Sequence, residues 1–471
     1  MAKNYDILCI GLGPAGMALS AMASNMGLSV VAIEKNKIGG ECMNVGCVPS
    51  KALLKRAKVA NFVKKLEDYQ LAKTGATKAE GVFAHIRKTI EDINNSKNSK
   101  MIDKINIVFG EAKFVDSKTV EVNGEQITAN KIFICTGTKP AIPPIPGIDK
   151  VAVLTNNNLF ELNEIPHSLA IIGGGAIGTE MAEAFARLGA EVTIVHDGEH
   201  LIPLGDDEAS QMIEESFKEQ GIKIFNKRFI SNVKKENNEI VITTDKNEEI
   251  KAEKLLVAAG RSYNFKTMEL EKAGINTDKR GAIIVDQYLQ TNVKNIYALG
   301  DCNGNALFSH AAMHQAMLAV MNLMLPSIFR KKFKDYVVPW TVFTDPAFSS
   351  VGMSEKELKA KNIKYETIKT AYSDYGVAYI ENSGKGFVKV FASSFGKIYG
   401  AVIVGENSGE LINEWALAIQ NNIKLYNILM QQHSFPTMGF LNKRIAEIWL
   451  MHKLDNSSIK KLLKFWFKAF N

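Results

Sequence analysis

A chain of 471 residues with 46% apolar and 23% charged residues is too long for a single core and reads as a globular protein of about two to four domains. No stretch approaches the roughly 20 uncharged apolar residues of a membrane span, and the opening MAKNYDILCIGLG runs straight into a strand, unlike a signal peptide. The net charge of +7 comes without a basic stripe interleaved with aromatics, so nucleic acid is not an expected partner.

The first element, YDILCIGLGPAGMALSAMASNMGLSVVAIEK, is an apolar strand, a glycine turn, an Ala/Met-rich helix and a second apolar strand. This is a βαβ unit whose turn carries Gly11, Gly13 and Gly16. The glycines permit a tight turn and let the backbone approach a pyrophosphate at the helix N-terminus. Glu34 closes the second strand, where a ribose hydroxyl would be bound.

Next comes GGECMNVGCVPSK, Gly39 to Lys51, with Cys42 and Cys47 ahead of a helix-forming run. On an undistorted helix, residues five apart point about 140° away from each other. A bridge between the two thiols therefore needs a bent first turn, which Gly46 and Pro49 allow. A strained, accessible disulfide at a helix start is the reducible kind, and the helix N-terminus favours the thiolate. The alternative is two unrelated buried thiols. Five cysteines with one close pair do not form a secreted framework, and no second C-x-x-C or nearby histidine cluster completes a metal site. A cytoplasmic chain with no metal is expected.

Helices are predicted over Ala52 to Ala72 and Gly81 to Asn94, and ICTGTKP, which holds Gly137, reads as a strand ending in a turn. SLAIIGGGAIGTEMAEAFARLGAEVTIVHD then repeats the opening grammar with Gly173, Gly175 and Gly178. Two such turns, each at a strand-to-helix junction, predict two dinucleotide sites. The second unit ends in His196 and Asp197, and no arginine nearby would accept a 2′-phosphate, so NADH is favoured weakly over NADPH. LLVAAGR follows, and then NIYALGDCNG, where Gly300 and Asp301 end a strand ahead of the helix HAAMHQAMLAVMNL. From Pro339 the character changes to period-two apolar segments (VPWTVFTD, GFVKVFAS, IYGAVIVG) followed by helices, an α+β pattern. The tail SSIKKLLKFWFKAF is a basic amphipathic helix, predicted either to pack on its own dimer or to touch an anionic membrane or a partner protein.

Taken in order, GLGPAG, GGECMNVGCVPSK, CTG, GGGAIG, LGD and FTDPAFSSVG resemble the flavoprotein pyridine nucleotide–disulfide oxidoreductases, which include dihydrolipoamide dehydrogenase, glutathione reductase and mercuric reductase. The resemblance runs from about residue 4 to about residue 450. It implies an α/β fold: two Rossmann-like three-layer domains, one for FAD and one for NAD(P), plus a C-terminal α+β dimerisation domain. The corresponding boundaries are 1–150 and 271–338 for FAD, 151–270 for NAD(P), 339–455 for dimerisation and 456–471 for the amphipathic helix. It further implies a relay from NAD(P)H through FAD to a Cys42–Cys47 disulfide, with Cys47 against the flavin and Cys42 outermost. Lys51 matches the lysine near the reactive flavin nitrogen and Glu180 its ion-pair partner. Gly11, Gly13, Gly16, Glu34, Gly137, Gly300 and Asp301 match FAD-binding positions, and Gly173, Gly175 and Gly178 the nicotinamide nucleotide site.

The departure is near the C-terminus. Disulfide-handling members carry His-Pro there, with a glutamate five residues after the histidine, as an acid–base pair contributed across the dimer. Here the stretch is HSFPTMGF, with Phe435 before Pro436 and Phe440 in the glutamate position. His433 is displaced by two residues and is expected to be a packed, hydrogen-bonded histidine. A mercuric reductase would add a vicinal cysteine pair near its end, but no cysteine follows Cys302. Cys9, Cys135 and Cys302 are expected to be small packing residues. The expected function is a cytoplasmic homodimeric FAD enzyme passing electrons from NAD(P)H through Cys42 and Cys47 to a disulfide, persulfide, metal or quinone acceptor. The alternatives are a dihydrolipoamide dehydrogenase, a mercuric reductase-like enzyme, and an electron-transfer subunit of a membrane or sulfur-metabolism complex. Contact through 457–471 would place the protein peripherally at the inner face of the membrane.

Overall fold

The computed structural model describes residues 3–72, 77–95, 102–455 and 457–470. It forms two compact units: Met1–Gly198 with Gln220–Tyr336, and Glu199–Glu219 with Val337–Asn471.

The first unit is built on two main sheets, a mixed one of seven strands and a parallel one of five. In the larger, seven-stranded sheet, Lys3–Ile10 lies between Val30–Glu34 and Glu125–Ile134, with Asn106–Phe109 beyond Val30–Glu34 and Ile296–Ala298 pairing Glu125–Ile134 in parallel. Register runs Ile7 to Val30 through Ile10 to Ile33. Alternate residues serve opposite faces: Leu8, Ile10, Val31 and Ile33 enter one core, and Ile7, Cys9, Val30 and Ala32 the other. Covering both faces explains why these strands are continuous apolar runs. The helix Pro14–Asn25 joins the first two strands, its proline at the helix start where no N–H is needed.

The second sheet orders Lys223–Phe225, Glu191–Val195, Ser168–Ile172, Lys254–Val257 and Val153–Leu154, all parallel. The helix Ala176–Arg187 links Ser168–Ile172 to Glu191–Val195. Both repeats of the opening grammar therefore fold as βαβ units, and the α/β class holds.

The second unit is an antiparallel five-stranded sheet, ordered Trp340–Val342, Phe348–Gly352, Ile398–Val404, Phe387–Ala392 and Glu366–Ala371, with the helices Ser408–Gln420 and Phe440–Leu454 closing a core around Trp415. Period two predicts alternating burial for GFVKVFAS, yet all six residues of Phe387–Ala392 are buried. The exception is explained by Lys389, whose ammonium is held by Asp206 (2.9 and 3.0 Å) and Glu208 (2.7 Å) within the same unit. A buried lysine needs such partners.

Two helix ends differ from expectation. The first long helix spans Cys47–Lys64 rather than starting at Ala52, and a 3-10 turn, Leu66–Tyr69, follows it. The second spans Val82–Ile93, within one residue of the reading at each end. Among the described residues no helix is long and apolar enough to cross a membrane.

Candidate active site

The redox segment is built from two helices, not one. Gly39, with φ of 89°, opens the short helix Gly40–Asn44, and the chain turns at Val45 and Gly46 before Cys47 begins the long helix. A Cβ on Gly46 would stand 2.9 Å from the Glu41 carbonyl oxygen and 3.2 Å from the Cys42 Cα. Only glycine lets the backbone close this tightly, and the closure brings Cys42 and Cys47 together. Asn44 locks the turn by donating to the carbonyls of Ile38 (2.9 Å) and Gly40 (2.8 Å).

Of the two cysteines, Cys42 is half-buried and Cys47 exposed. They are not equivalent. The Cys42 thiol donates to Cys47, which, with burial, pushes Cys42 far above the ordinary thiol range. The same hydrogen bond pulls Cys47 down to about 6, against an opposing contribution from burial and with help from the Ser309 hydroxyl and the Lys51 charge. Ser309 Oγ lies 3.3 Å from Cys47 Sγ. At neutral pH the reduced pair is thus one thiol and one thiolate, the thiolate at the first residue of a helix.

One turn along that helix, Lys51 Nζ donates to both carboxylate oxygens of Glu180, at 2.9 and 2.7 Å. Glu180 is almost fully buried in Ala176–Arg187, the helix of the second βαβ unit. The two glycine turns meet identical steric demands. A Cβ on Gly11 or Gly173 would stand 2.8 or 2.4 Å from the carbonyl oxygen of Cys135 or Ala258 on the neighbouring strand. One on Gly16 or Gly178 would stand 1.9 or 2.0 Å from the Gly11 or Gly173 oxygen. At Gly13 the nearest atom would be 4.0 Å away, and at Gly175 nothing lies within 4 Å. Space in front of the middle glycine alone is what a phosphate group approaching the backbone requires. Glu34, buried at its strand end, accepts from the N–H groups of Leu12 and Asn36, both at 2.7 Å. In the second βαβ unit His196 is buried and Asp197 exposed.

Gly137 follows the strand Glu125–Ile134 with φ of 68°, and Gly300 opens the turn Gly300–Asn303 that carries Asp301. Burial pushes the Asp301 carboxyl up while the Arg261 charge opposes the shift. Thr138 Oγ1 is 3.4 Å from Asp301. Arg261 is a residue that sequence reasoning passed over. Its guanidinium donates to Glu41 Oε2 (2.6 Å) and to the hydroxyl (2.8 Å) and carbonyl (2.8 Å) of Thr138, tying the residue before Cys42 to the Asp301 turn. Its only signal was its place at the end of LLVAAGR. Ser309 was also missed, and no local pattern marks it. Cys9, Cys135 and Cys302 are buried in the sheet core, where burial pushes Cys302 up to about 12.

The second unit resolves the departure near the C-terminus. Phe435 is exposed, Phe440 is partly covered, and Tyr375 completes an aromatic cluster, stacked on Phe440 at 5.4 Å. His433 is packed: Nε2 lies 2.9 Å from Glu414 Oε1, and Nδ1 is buried without a partner among the described residues. Glu414 is held in turn by Asn442, which also accepts from the Trp415 indole at 2.7 Å. His433 is thus a packed, hydrogen-bonded histidine.

Residues 5–320 match the model of the pyridine nucleotide-disulphide oxidoreductase family, and residues 338–443 that family's dimerisation domain. The chain is 33% identical over 464 residues to dihydrolipoyl dehydrogenase of Chlamydia pneumoniae, covering 95% of this chain and 96% of that one. It is 32% identical over 443 residues to mercuric reductase of Staphylococcus aureus, covering 93% and 81%. Among solved structures, the HOCl-induced flavoprotein disulfide reductase RclA from Escherichia coli superposes with a TM-score of 0.85 at 26% identity, covering 94% of this chain and 99% of that one.

Proposed function

We propose that this chain, which belongs to the pyridine nucleotide-disulphide oxidoreductase family, is a homodimeric, cytoplasmic reductase that delivers electrons from NAD(P)H through Cys42 and Cys47. The family is FAD-dependent and uses NAD(P)H. The glycine turns, Glu34, Gly137, Gly300 and Asp301 fit FAD, and Gly173, Gly175 and Gly178 fit the nicotinamide nucleotide, because only the middle glycine of each turn faces open space. When bound, FAD supplies the two-electron coupling between the nicotinamide and the cysteine pair. NADH is the preferred donor on this reading, since His196 and Asp197 offer a 2′-phosphate no guanidinium.

The observation that carries the proposal is the convergence of Cys42, Cys47, Ser309, Lys51 and Glu180 at one helix start. Reducing the disulfide takes two electrons and, with Cys47 ionised, one proton, which Cys42 keeps. Lys51 holds positive charge beside the thiolate, and Glu180 keeps that lysine in place. Cys42 then attacks the acceptor as a thiolate, its proton passing to the Cys47 thiolate to which it is hydrogen-bonded. With phenylalanine at 435 and 440, acceptors that depart without a proton from the protein are favoured: a thiophilic metal ion, a persulfide, or a disulfide with an acidic leaving thiol. A second reading, a dihydrolipoyl dehydrogenase, is favoured by the full-length similarity to the Chlamydia pneumoniae enzyme.

Anaerobic NADH titration of the purified protein followed by a panel of an aromatic disulfide, lipoamide, glutathione disulfide, Hg(II), Cu(II) and a quinone separates these. The proposal expects turnover with the aromatic disulfide or a metal ion that disappears in Cys42→Ser. Turnover that survives that substitution sinks it. Lipoamide as the fastest substrate would establish the second reading.

A further inference from the structure

We infer that the C-terminal helix Ser457–Phe470 is an interfacial anchor that lies in the surface of a membrane rich in anionic phospholipid. Placed at 100° per residue, Lys460, Lys461, Lys464 and Lys468 fill one unbroken sector of about 100°, and every apolar side chain falls outside it. The helix has four lysines and no acid, so it holds more than half of the chain's net charge of +7. Its apolar side is uncovered: Phe470 is 82% exposed, Phe467 71%, Phe465 65%, Trp466 52%, Leu462 48% and Leu463 43%.

At 14 residues the helix is about 21 Å long, too short to cross a bilayer. It is also long enough to lie flat with its aromatic rings at headgroup depth. Charge complementarity selects the occupant. Interfaces between proteins are depleted in lysine, whereas lysines bordering an apolar face are what an anionic lipid surface attracts. A second copy of this helix would bring the same four positive charges and no acid. The match to the family's dimerisation domain also stops at residue 443, before this helix begins. The inference does not depend on which acceptor the enzyme reduces.

The test is co-sedimentation of the full-length holoenzyme with phosphatidylcholine vesicles, with and without phosphatidylglycerol. Binding is expected only to the anionic vesicles and should weaken as salt rises. At about five-fold per lysine, replacing all four with glutamine should cost roughly a thousand-fold in vesicle affinity. Leu463→Asp with Phe470→Asp should abolish binding, while NADH oxidation in solution stays at the wild-type rate. Equal binding to neutral vesicles, or unchanged binding after removal of residues 457–471, overturns the inference. So does conversion of that truncated protein from dimer to monomer, which would show the helix packing on its own dimer. Failure of vesicle binding with a specific protein bound at the helix would overturn it in favour of a protein partner.

Discussion

Phe435 and Phe440 meet edge to face, with ring centroids 5.8 Å apart and planes at 83°. By the family resemblance these are the positions of a histidine and a glutamate, which would make this aromatic contact the replacement for an acid–base pair. Each such contact stabilises by about 0.5–1.5 kcal/mol. Phe435→His with Phe440→Glu should therefore cost about 1–3 kcal/mol of stability. Oxidation of dihydrolipoamide should rise about a hundred-fold, the lower end of what a positioned acid–base group contributes. Steady-state kcat/KM for dihydrolipoamide decides it: a folded double variant with an unchanged rate would show that the aromatic pair does not limit this reaction.

Cys47 should behave as an acid with a midpoint near pH 6. In the reduced protein, alkylation of Cys47 by iodoacetamide should climb through that midpoint and level off by about pH 7, while Cys42 stays slow throughout. Lys51→Met and Ser309→Ala each remove a contribution that favours the thiolate, and both should move the midpoint up. Glu180→Gln should move it down, since the Glu180 charge opposes the thiolate. Because the folded pKa lies below the unfolded one, the thiolate stabilises the reduced fold fully above about pH 9 and ceases to do so as pH falls through 6. Site-resolved mass spectrometry across pH measures the midpoints; a common midpoint near 9 for both cysteines would contradict the assignment.

The glycines of each turn should divide by role. Gly16→Ala and Gly178→Ala force a Cβ within about 2 Å of a backbone oxygen and should destabilise the fold by several kcal/mol. Gly13→Ala and Gly175→Ala meet no protein atom closer than 4.0 Å, so they should fold with a near-native melting temperature. Their effect should appear in binding: retained FAD falls in Gly13→Ala, and KM for NADH rises in Gly175→Ala. Calorimetry, flavin absorbance and steady-state kinetics read the three quantities.

Removing the Arg261 guanidinium leaves Glu41, which it meets at 2.6 Å, without its charged donor. Arg261→Met should cost about 1–3 kcal/mol in urea unfolding of the first unit, the usual consequence of breaking a partly buried charge-assisted hydrogen bond. The same change should raise the Asp301 pKa further, because Arg261 is what opposes its upward shift. Carboxyl titration by NMR of labelled protein follows the second effect, and an unmoved Asp301 would rule out the coupling.

Local spacing was enough for much of this molecule. The two βαβ units, the bend between Cys42 and Cys47, and Lys51 one turn beyond Cys47 all follow from helix and strand periods and from residue types that act on near neighbours. Phenylalanine at 435 and 440 is likewise written in the chain itself. What no period encodes is which distant segments meet. Ser309 reaches Cys47 across 262 residues, Arg261 reaches Glu41 across 220, and Glu414 immobilises His433 from the helix Ser408–Gln420. Lys389 breaks the alternation of its strand because Asp206 and Glu208 make its burial tolerable. Sequence alone therefore placed phenylalanine at 435 and 440 and determined the turn that carries the Cys42–Cys47 pair. The tertiary structure decided its charge state, because a thiol's ionisation depends on the charges and donors that surround it in space.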